Sequence, residues 1–460
     1  MLDAAACFRS GVVLSLSFLL IFSAYSATEV LETSIIPSHC SGCVEGPANG
    51  TCQSGFVCQH KAQFACDVAC EAPYRECKSS LGDVVMGTMY LMFMTSAMAG
   101  PFLPHYLGEK KSMVGSSTIY GVFALANLVV ASNPTNVVLQ WAVMIPTACV
   151  VGIAASFLWI SQASYLTRLS VQYSQFKGIP AIASVGLFSG MFNAFFKLAT
   201  IVGNTISSIV LNVFGWSTVP LFWIYTLVSA AGTALLCLVP DLPIPHAAPL
   251  PTESTKLLVP ESPVTSIQSL AALAVDKRML ALAPIMILNG FQQGFLSGEF
   301  TANVVRDSLG SSAIGTVFVV VGLVSVASSI VMGKLADKCS PLPGQLVSFV
   351  VLLAAYIMCF VVTVSKCDEQ WHVVLTIGVL LSIGDASSLT LVNVVLGQEF
   401  PDDPVNAFSL FRVYHAGATS ISFFLFPSLT FHGRLALLMA LIVVSAVAYI
   451  VYYMRFRFVR

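Results

Sequence analysis

Apolar stretches long enough to bridge a lipid bilayer recur from residue 11 to residue 453, and that recurrence restricts the fold more than any other feature of the chain. Runs of eighteen or more residues with few charges read as membrane helices, because about 20 residues of helix cross the ~30 Å hydrocarbon layer. Candidate spans lie at 11–27, 82–104, 113–131, 137–160, 184–213, 218–239, 279–297, 312–332, 345–364, 371–397, 407–430 and 434–453, twelve in all. In lipid each segment must satisfy its own backbone hydrogen bonds, so helices are expected; the alternating pattern of barrel strands is missing. Charged residues make up only 9% of the chain, against about 25% in an ordinary soluble protein. The net charge of −1 leaves no basic field that would suggest nucleic acid. The expected class is an all-α polytopic membrane protein whose surrounding medium is the lipid bilayer.

Orientation follows from Lys and Arg, which accumulate on the cytoplasmic side. With the N-terminus inside, Arg9, Lys110, Lys111, Arg168, Lys177, Lys256, Lys277, Arg278, Lys334, Lys338, Arg455, Arg457 and Arg460 fall in the cytoplasm. Lys61, Arg75, Lys78, Arg306, Lys366 and Arg434 fall outside. Thirteen against six predicts both termini inside. Residues 9–26 read equally as a retained span or as a cleavable signal peptide, since Arg9 precedes a short apolar core ending near Ala24 and Ser26.

Seven of the thirteen cysteines, Cys40, Cys43, Cys52, Cys58, Cys66, Cys70 and Cys77, crowd one polar island after the first span. On the exterior or luminal face the environment is oxidising, and cysteines in a core-poor segment there form disulfides. The lone Cys40-x-x-Cys43 spacing does not complete a zinc site. Asn49-Gly50-Thr51 is an N-glycosylation sequon on the same predicted face. Seven is odd, so one thiol stays free or pairs elsewhere, with Cys367 a candidate.

The chain has one seam. Pro240 to Pro263 contains seven prolines, too polar to span and too proline-rich for a continuous helix. It divides the chain into a first six-span bundle (1–239, with a cysteine-rich insert at 28–81), a cytoplasmic linker (240–278) and a second six-span bundle (279–460). Residues 264–279 read either as a short helix along the membrane face or as plain linker. Within the linker, Glu253 stands four residues before Leu257-Leu258, the pattern of an acidic dileucine signal for endosomes and lysosomes.

Six plus six spans around a cytoplasmic linker is the organisation of the major facilitator superfamily. After the eighth span, GKLADKC (Gly333 to Cys339) is similar to that superfamily's cytoplasmic loop signature. Gly333 would allow a tight turn, and Asp337, beside Lys338, would cap a helix end. FLWISQASYLTRLS (Phe157 to Ser170), with Trp159, Gln162 and Tyr165, resembles the signature of the uncoordinated-93-like family of that superfamily. Segments 18–34, 107–127, 188–211 and 294–305 resemble other family segments in the same order. Ala155, Ser156 and Ala163 stand where the family signature carries glycines. The resemblance implies a retained first span and a facilitator fold. It further implies a role in regulating or escorting another membrane protein, such as a potassium channel or a receptor, at least as readily as transport.

Ionisable groups at membrane depth mark switching or pathway positions. Asn193, Lys197, Thr200 and Asn204, extended by Ser207, repeat on one helix face. The plain reading is inter-helix hydrogen bonding, which a midspan Lys197 resists. Its partner would be Asp385 in the tenth span, for which Arg412 is the rival. Glu299 sits near the outer end of the seventh span, and Arg412 shares a face with His415 and Thr419 in the eleventh. No Walker loop, Rossmann glycine pattern, HExxH or nucleophile elbow occurs, the seven histidines have no metal spacing, and no cofactor or enzyme activity is expected. Two functions follow: a regulatory or escort subunit of an ion channel or other membrane protein, or a secondary transporter of a small solute or ion working by alternating access. The membrane is the plasma membrane or that of endosomes and lysosomes.

Overall fold

The computed structural model describes residues 3–35, 38–43, 49–52, 74–78, 81–98, 107–133, 136–179, 181–242, 263–338, 340–362, 370–400 and 404–457. The first half holds α1 (Ala4–Ile35), α2 (Leu81–Ala97), α3 (Glu109–Ser132), α4 (Val137–Lys177), α5 (Ala181–Ser207, closed by a π turn at Ser208–Val213) and α6 (Thr218–Leu236). A short α7 (Pro263–Ala274) follows, so the stretch after the prolines is helical. The second half holds α8 (Lys277–Gly294, continuing as a π-helical stretch Phe295–Val305), α9 (Ile314–Lys338), α10 (Pro341–Val361), α11 (Trp371–Glu399), α12 (Pro404–Leu425) and α13 (Phe431–Tyr452).

Among the described residues ten helices are long and apolar enough to cross a membrane. The other two expected spans are helical as well, α2 over 17 residues and α12 over 22. Very exposed apolar side chains such as Val138, Leu238, Val213 and Leu227 stand on the outside of the bundle, where lipid rather than water would meet them.

Several boundaries differ from those the hydropathy predicts. α1 does not stop near residue 27 but runs to Ile35, taking Glu29 and Glu32 with it, so the insert begins later than residue 28. The helix can continue because the Glu29 carboxylate finds partners inside the bundle. α4 extends to Lys177, carrying the whole Trp159–Tyr165 signature on helix. α9 runs through Lys338, which places Gly333 inside a helix instead of the expected tight turn. The side chains of Asp337 and Lys338 lie outside the described residues.

The island forms a three-stranded antiparallel sheet, β1 (Ser38–Cys43), β2 (Asn49–Cys52) and β3 (Tyr74–Lys78), in the order β2-β1-β3. Its register sets Cys40 opposite Cys77 and Ser38 opposite Cys52. The side chains of Cys40, Cys43, Cys52, Cys77 and Asn49 lie outside the described residues. Cys58, Cys66, Cys70, Cys367, Glu253, Leu257 and Leu258 lie wholly outside them, and the expected disulfides, glycan and sorting signal fall with them.

The halves repeat one packing plan. α1 lies on α5 and α6, α2 on α4, and α3 on α4 and α6; in the second half α8 lies on α12 and α13, α9 on α11, and α10 on α11 and α13. Three matched contacts join the halves near the ends that carry the insert. Thr33 at the end of α1 meets the π-helical stretch of α8, its hydroxyl 3.4 Å from Thr301 Oγ1 and from the Gly298 carbonyl. Ser420 on α12 donates to the Gly87 carbonyl of α2 at 2.7 Å. Ser208 after α5 shares a 2.7 Å hydrogen bond with Thr316 on α9.

Glycine sets the closeness of these packings. A side chain on Gly203 would run into the Ser23 carbonyl of α1, and one on Gly152 into the Met89 carbonyl of α2. Gly203→Ala is therefore expected to destabilise the purified protein by about 1–3 kcal/mol, the usual cost of overpacking a well-filled interior. Gly190→Ala, on an exposed face of the same helix with open space around it, should leave the thermal midpoint unchanged or slightly raised. Equal effects of the two substitutions would contradict this packing.

Candidate functional site

The midspan polar groups gather where the two halves face each other. Lys197 arrives on α5 and Asp385 on α11; both are half-buried, and each lies within electrostatic reach of the other. A charge at membrane depth needs a counter-charge or a wet path, and these two residues, from different halves, supply one another. Asp385 is braced locally, since Ser382 one turn earlier donates to the Val321 carbonyl of α9 at 2.7 Å. Three residues further on, Ser388 donates to Asn289 Oδ1 at 2.9 Å and accepts from Gln345 Nε2 at 2.9 Å, tying α11 to α8 and α10.

The stripe around Lys197 divides into two parts. Asn204 and Ser207 are fully buried; Asn204 donates to the Thr200 carbonyl at 2.9 Å. At this level α9 comes so close that a side chain on Gly315 would strike Asn204 O, Ser208 N and Ser207 Oγ, and Thr200 lies against Gly322. This part of the stripe is a helix–helix seam. Asn193, two turns before Thr200, stays exposed.

Arg412 does not pair with Asp385. Its guanidinium lies over the Trp159 ring at 5.6 Å and the Phe411 ring at 5.7 Å, joining α12 of one half to α4 of the other. It is exposed by area yet ringed by protein groups, as a side chain lining an internal cleft is. A cation–π contact of an exposed guanidinium contributes about 0.5–1 kcal/mol. Trp159 in turn packs on Phe22, Phe196, Phe18 and Phe192, at 5.0 to 6.3 Å. His415 stacks against Phe411 at 5.6 Å, and Thr419 donates to the Gly290 carbonyl at 3.0 Å. Sequence spacing placed these three residues on one helix face; in the fold Arg412 and His415 share Phe411, while Thr419 turns to α8.

Glu299, on the π-helical stretch, makes a close ion pair with Arg434 of α13 and accepts from Asn303 Nδ2 at 2.7 Å. Asp83 of α2 and Arg306 stand within electrostatic reach, so this end of the bundle gathers four ionisable groups. At the opposite end Glu109 of α3 pairs with Arg168 of α4 at 3.0 Å and accepts a close hydrogen bond from Ser164. Gln162 is buried, and Tyr165 donates to the Pro240 carbonyl at 2.8 Å. The rest of the signature therefore anchors the end of α6. In the second half Arg278 bonds Glu399 at 3.2 Å and Asp276 at 3.1 Å, and Tyr452 donates to Glu399 at 2.8 Å. Burial works against the Asp276 charge, but the hydrogen bonds from Arg278 outweigh it and hold that carboxyl below its usual range.

Sequence reasoning missed the site's second acidic element. Glu29 on α1 accepts from Tyr90 of α2 at 2.6 Å and from Gln293 of α8 at 2.9 Å, a direct bond between the halves. Glu32 follows one turn later and is also buried. The available signal was TEVLET (28–33), two carboxylates three residues apart at the end of an apolar run. A separate cleft of about 360 Å³ is lined by Arg9, Ser10 and Pro240 among others, and touches these groups only at Pro240, whose carbonyl accepts from Tyr165.

A family model described as "Ion channel regulatory protein UNC-93" matches residues 76–450. UNC93-like protein 3 of Arabidopsis thaliana is 25% identical over 454 residues, covering 95% of this chain and 84% of that protein. A Caenorhabditis elegans relative named as a potassium channel regulatory protein is 23% identical over 327 residues, covering 63% of this chain and 45% of that protein. Among solved structures, a D-xylose–proton symporter superposes with a TM-score of 0.62 over 97% of this chain and 96% of that one, at 13% identity. That likeness is one of fold, the facilitator fold.

If Lys197 and Asp385 compensate each other, Asp385→Asn should lower folded yield and thermal midpoint, and adding Lys197→Met should restore part of the loss. The double-mutant cycle is expected to give a coupling of about 0.5–3 kcal/mol. Strictly additive losses would remove the pair. Glu109→Gln should likewise lower the thermal midpoint, because it removes the carboxylate that pairs with the half-buried Arg168 at 3.0 Å.

Proposed function

The chain belongs to the UNC-93 family, and on that premise we propose that this multi-pass membrane protein is a regulatory or escort subunit. It acts by binding an ion channel, with potassium channels the first class to test. The family match over residues 76–450 carries this reading. Supporting it, the stripe at Thr200, Asn204 and Ser207 and the Glu29–Gln293 bond join helices to each other. A scaffold that presents its lipid-facing surface to a partner has use for such internal rigidity. In this reading all twelve helical segments cross the membrane in two six-helix bundles, both termini are cytoplasmic, and the cysteine-rich sheet projects from the opposite face. There its disulfides and the Asn49 glycan would meet a partner's exterior domain. Glu253 with Leu257-Leu258 would direct the protein to endosomal or lysosomal membranes, failing which it resides in the plasma membrane.

A specific observation keeps a second reading, the secondary transporter of a small solute. Charged and acid groups from both halves, Lys197, Asp385, Glu29 and Arg412, face one interface, and rocking of the halves would make and break those contacts. Affinity purification of the full chain from native membranes separates the two. A channel recovered in stoichiometric amount, whose currents change when the chain is removed, is the expected result. Solute flux into liposomes containing the purified chain alone, without any such partner, would overturn it.

A further inference from the structure

Glu32 is 2% exposed, neither carboxylate oxygen meets a hydrogen-bond donor in direct bonding geometry, and the one polar group close enough to act on it is the Asn127 side chain. The polar group facing it is Asn127 of α3, buried likewise, whose Nδ2 donates to the Phe123 carbonyl at 3.2 Å. Gly82 of α2 packs on the Glu32 backbone so closely that any side chain there would meet the Glu32 carbonyl, which holds this turn of α1 in place.

The ionisable groups around this turn give it no positive charge. Its own helix supplies Glu29 one turn away, α2 supplies Asp83 beside Gly82, and no charged group acts on Glu32 electrostatically. Lys197 of α5 answers Asp385, and Arg306 and Arg434 answer Glu299 and Asp83. Glu29, one turn away, is already satisfied by Tyr90 and Gln293. An ionised carboxylate without partner at this depth costs several kcal/mol even after relaxation, on the order of the loss when one member of a buried ion pair is removed. The charge must be neutralised by something that is not a side chain.

We propose that Glu32 is the core of a monovalent-cation site, neutralised by a proton or by an alkali metal ion, with the Asn127 amide as the neighbouring oxygen donor. The site lies one helical turn from the Glu29–Gln293 bond between the halves. It stands whether the chain regulates a partner or moves a solute, because it rests on this one carboxylate and its surroundings.

The test is carbodiimide labelling of the full chain in mild detergent. Dicyclohexylcarbodiimide reacts with a protonated carboxyl in apolar surroundings, and peptide mass mapping reads the modified residue. At about pH 7 in N-methylglucamine buffer, Glu32 should be labelled about tenfold or more over Asp241, an exposed carboxylate beside Lys110. Glu32→Gln should remove that label and no other. Labelling that falls severalfold on replacing glucamine by sodium or potassium at equal ionic strength identifies an alkali-ion site; unchanged labelling identifies a proton. Absence of label on Glu32 in folded, monodisperse protein from acid to neutral pH, with and without alkali ions, overturns the proposal.

Discussion

Hydrocarbon offers a buried polar group no hydrogen bond and no counter-ion, so a charge at membrane depth must be answered from within the bundle or neutralised. The rest of the architecture follows from how that demand is met. At one end Glu299 and Arg434 pair across the helices of the second half, with Asp83 and Arg306 beside them. At the other end Glu109 and Arg168 close the first half, and Arg278 with Glu399 closes the second. These pairs do not replace hydrophobic packing. They fix which helix ends meet, since breaking a buried pair costs more than the pair contributes over an apolar substitute.

Between the two ends, the halves are joined by small polar contacts and by glycine. Ser420 on Gly87, Ser208 on Thr316 and Thr33 on Thr301 are individually modest, about 0.6 kcal/mol on average for such bonds in membranes. Close backbone approach at Gly315, and the Phe424 ring seated on Gly87, let them form. Beside Lys197 and Asp385, Arg412 over Trp159 and Gln293 on Glu29 add two more contacts in which charge connects the halves. A signature residue that reads as part of an interfacial aromatic belt, Trp159, is thus a platform for a cation from the opposite half.

The twelve apolar segments, the division at the prolines and the resemblance to UNC-93 proteins were legible because each depends on local composition or order. Lys197 with Asp385 was legible too, as two opposite charges in a chain that carries few at that depth. Which of Lys197 and Arg412 would face Asp385 was not, because helical spacing orders residues along one helix and says nothing of the rotation of another. Glu29 and Glu32 went unread because charge ends an apolar run in any hydropathy scan. The helix in fact continues to Ile35, with Tyr90 and Gln293 waiting on other helices. Gly333 was read as a turn for a related reason: a charged segment at a membrane face looks the same whether it bends or extends a helix.

By itself, then, the sequence determined the class of molecule, the order of its apolar segments and the family, all properties that follow from how much apolar surface each stretch must bury and in what succession. The tertiary structure alone decided which buried charges are answered and which is not. That outcome is set by distances between side chains on different helices, where a separation of a few ångströms in a low-dielectric interior turns a costly charge into a stabilising contact. Glu29 and Glu32 are the same residue type one turn apart, and only packing tells them apart.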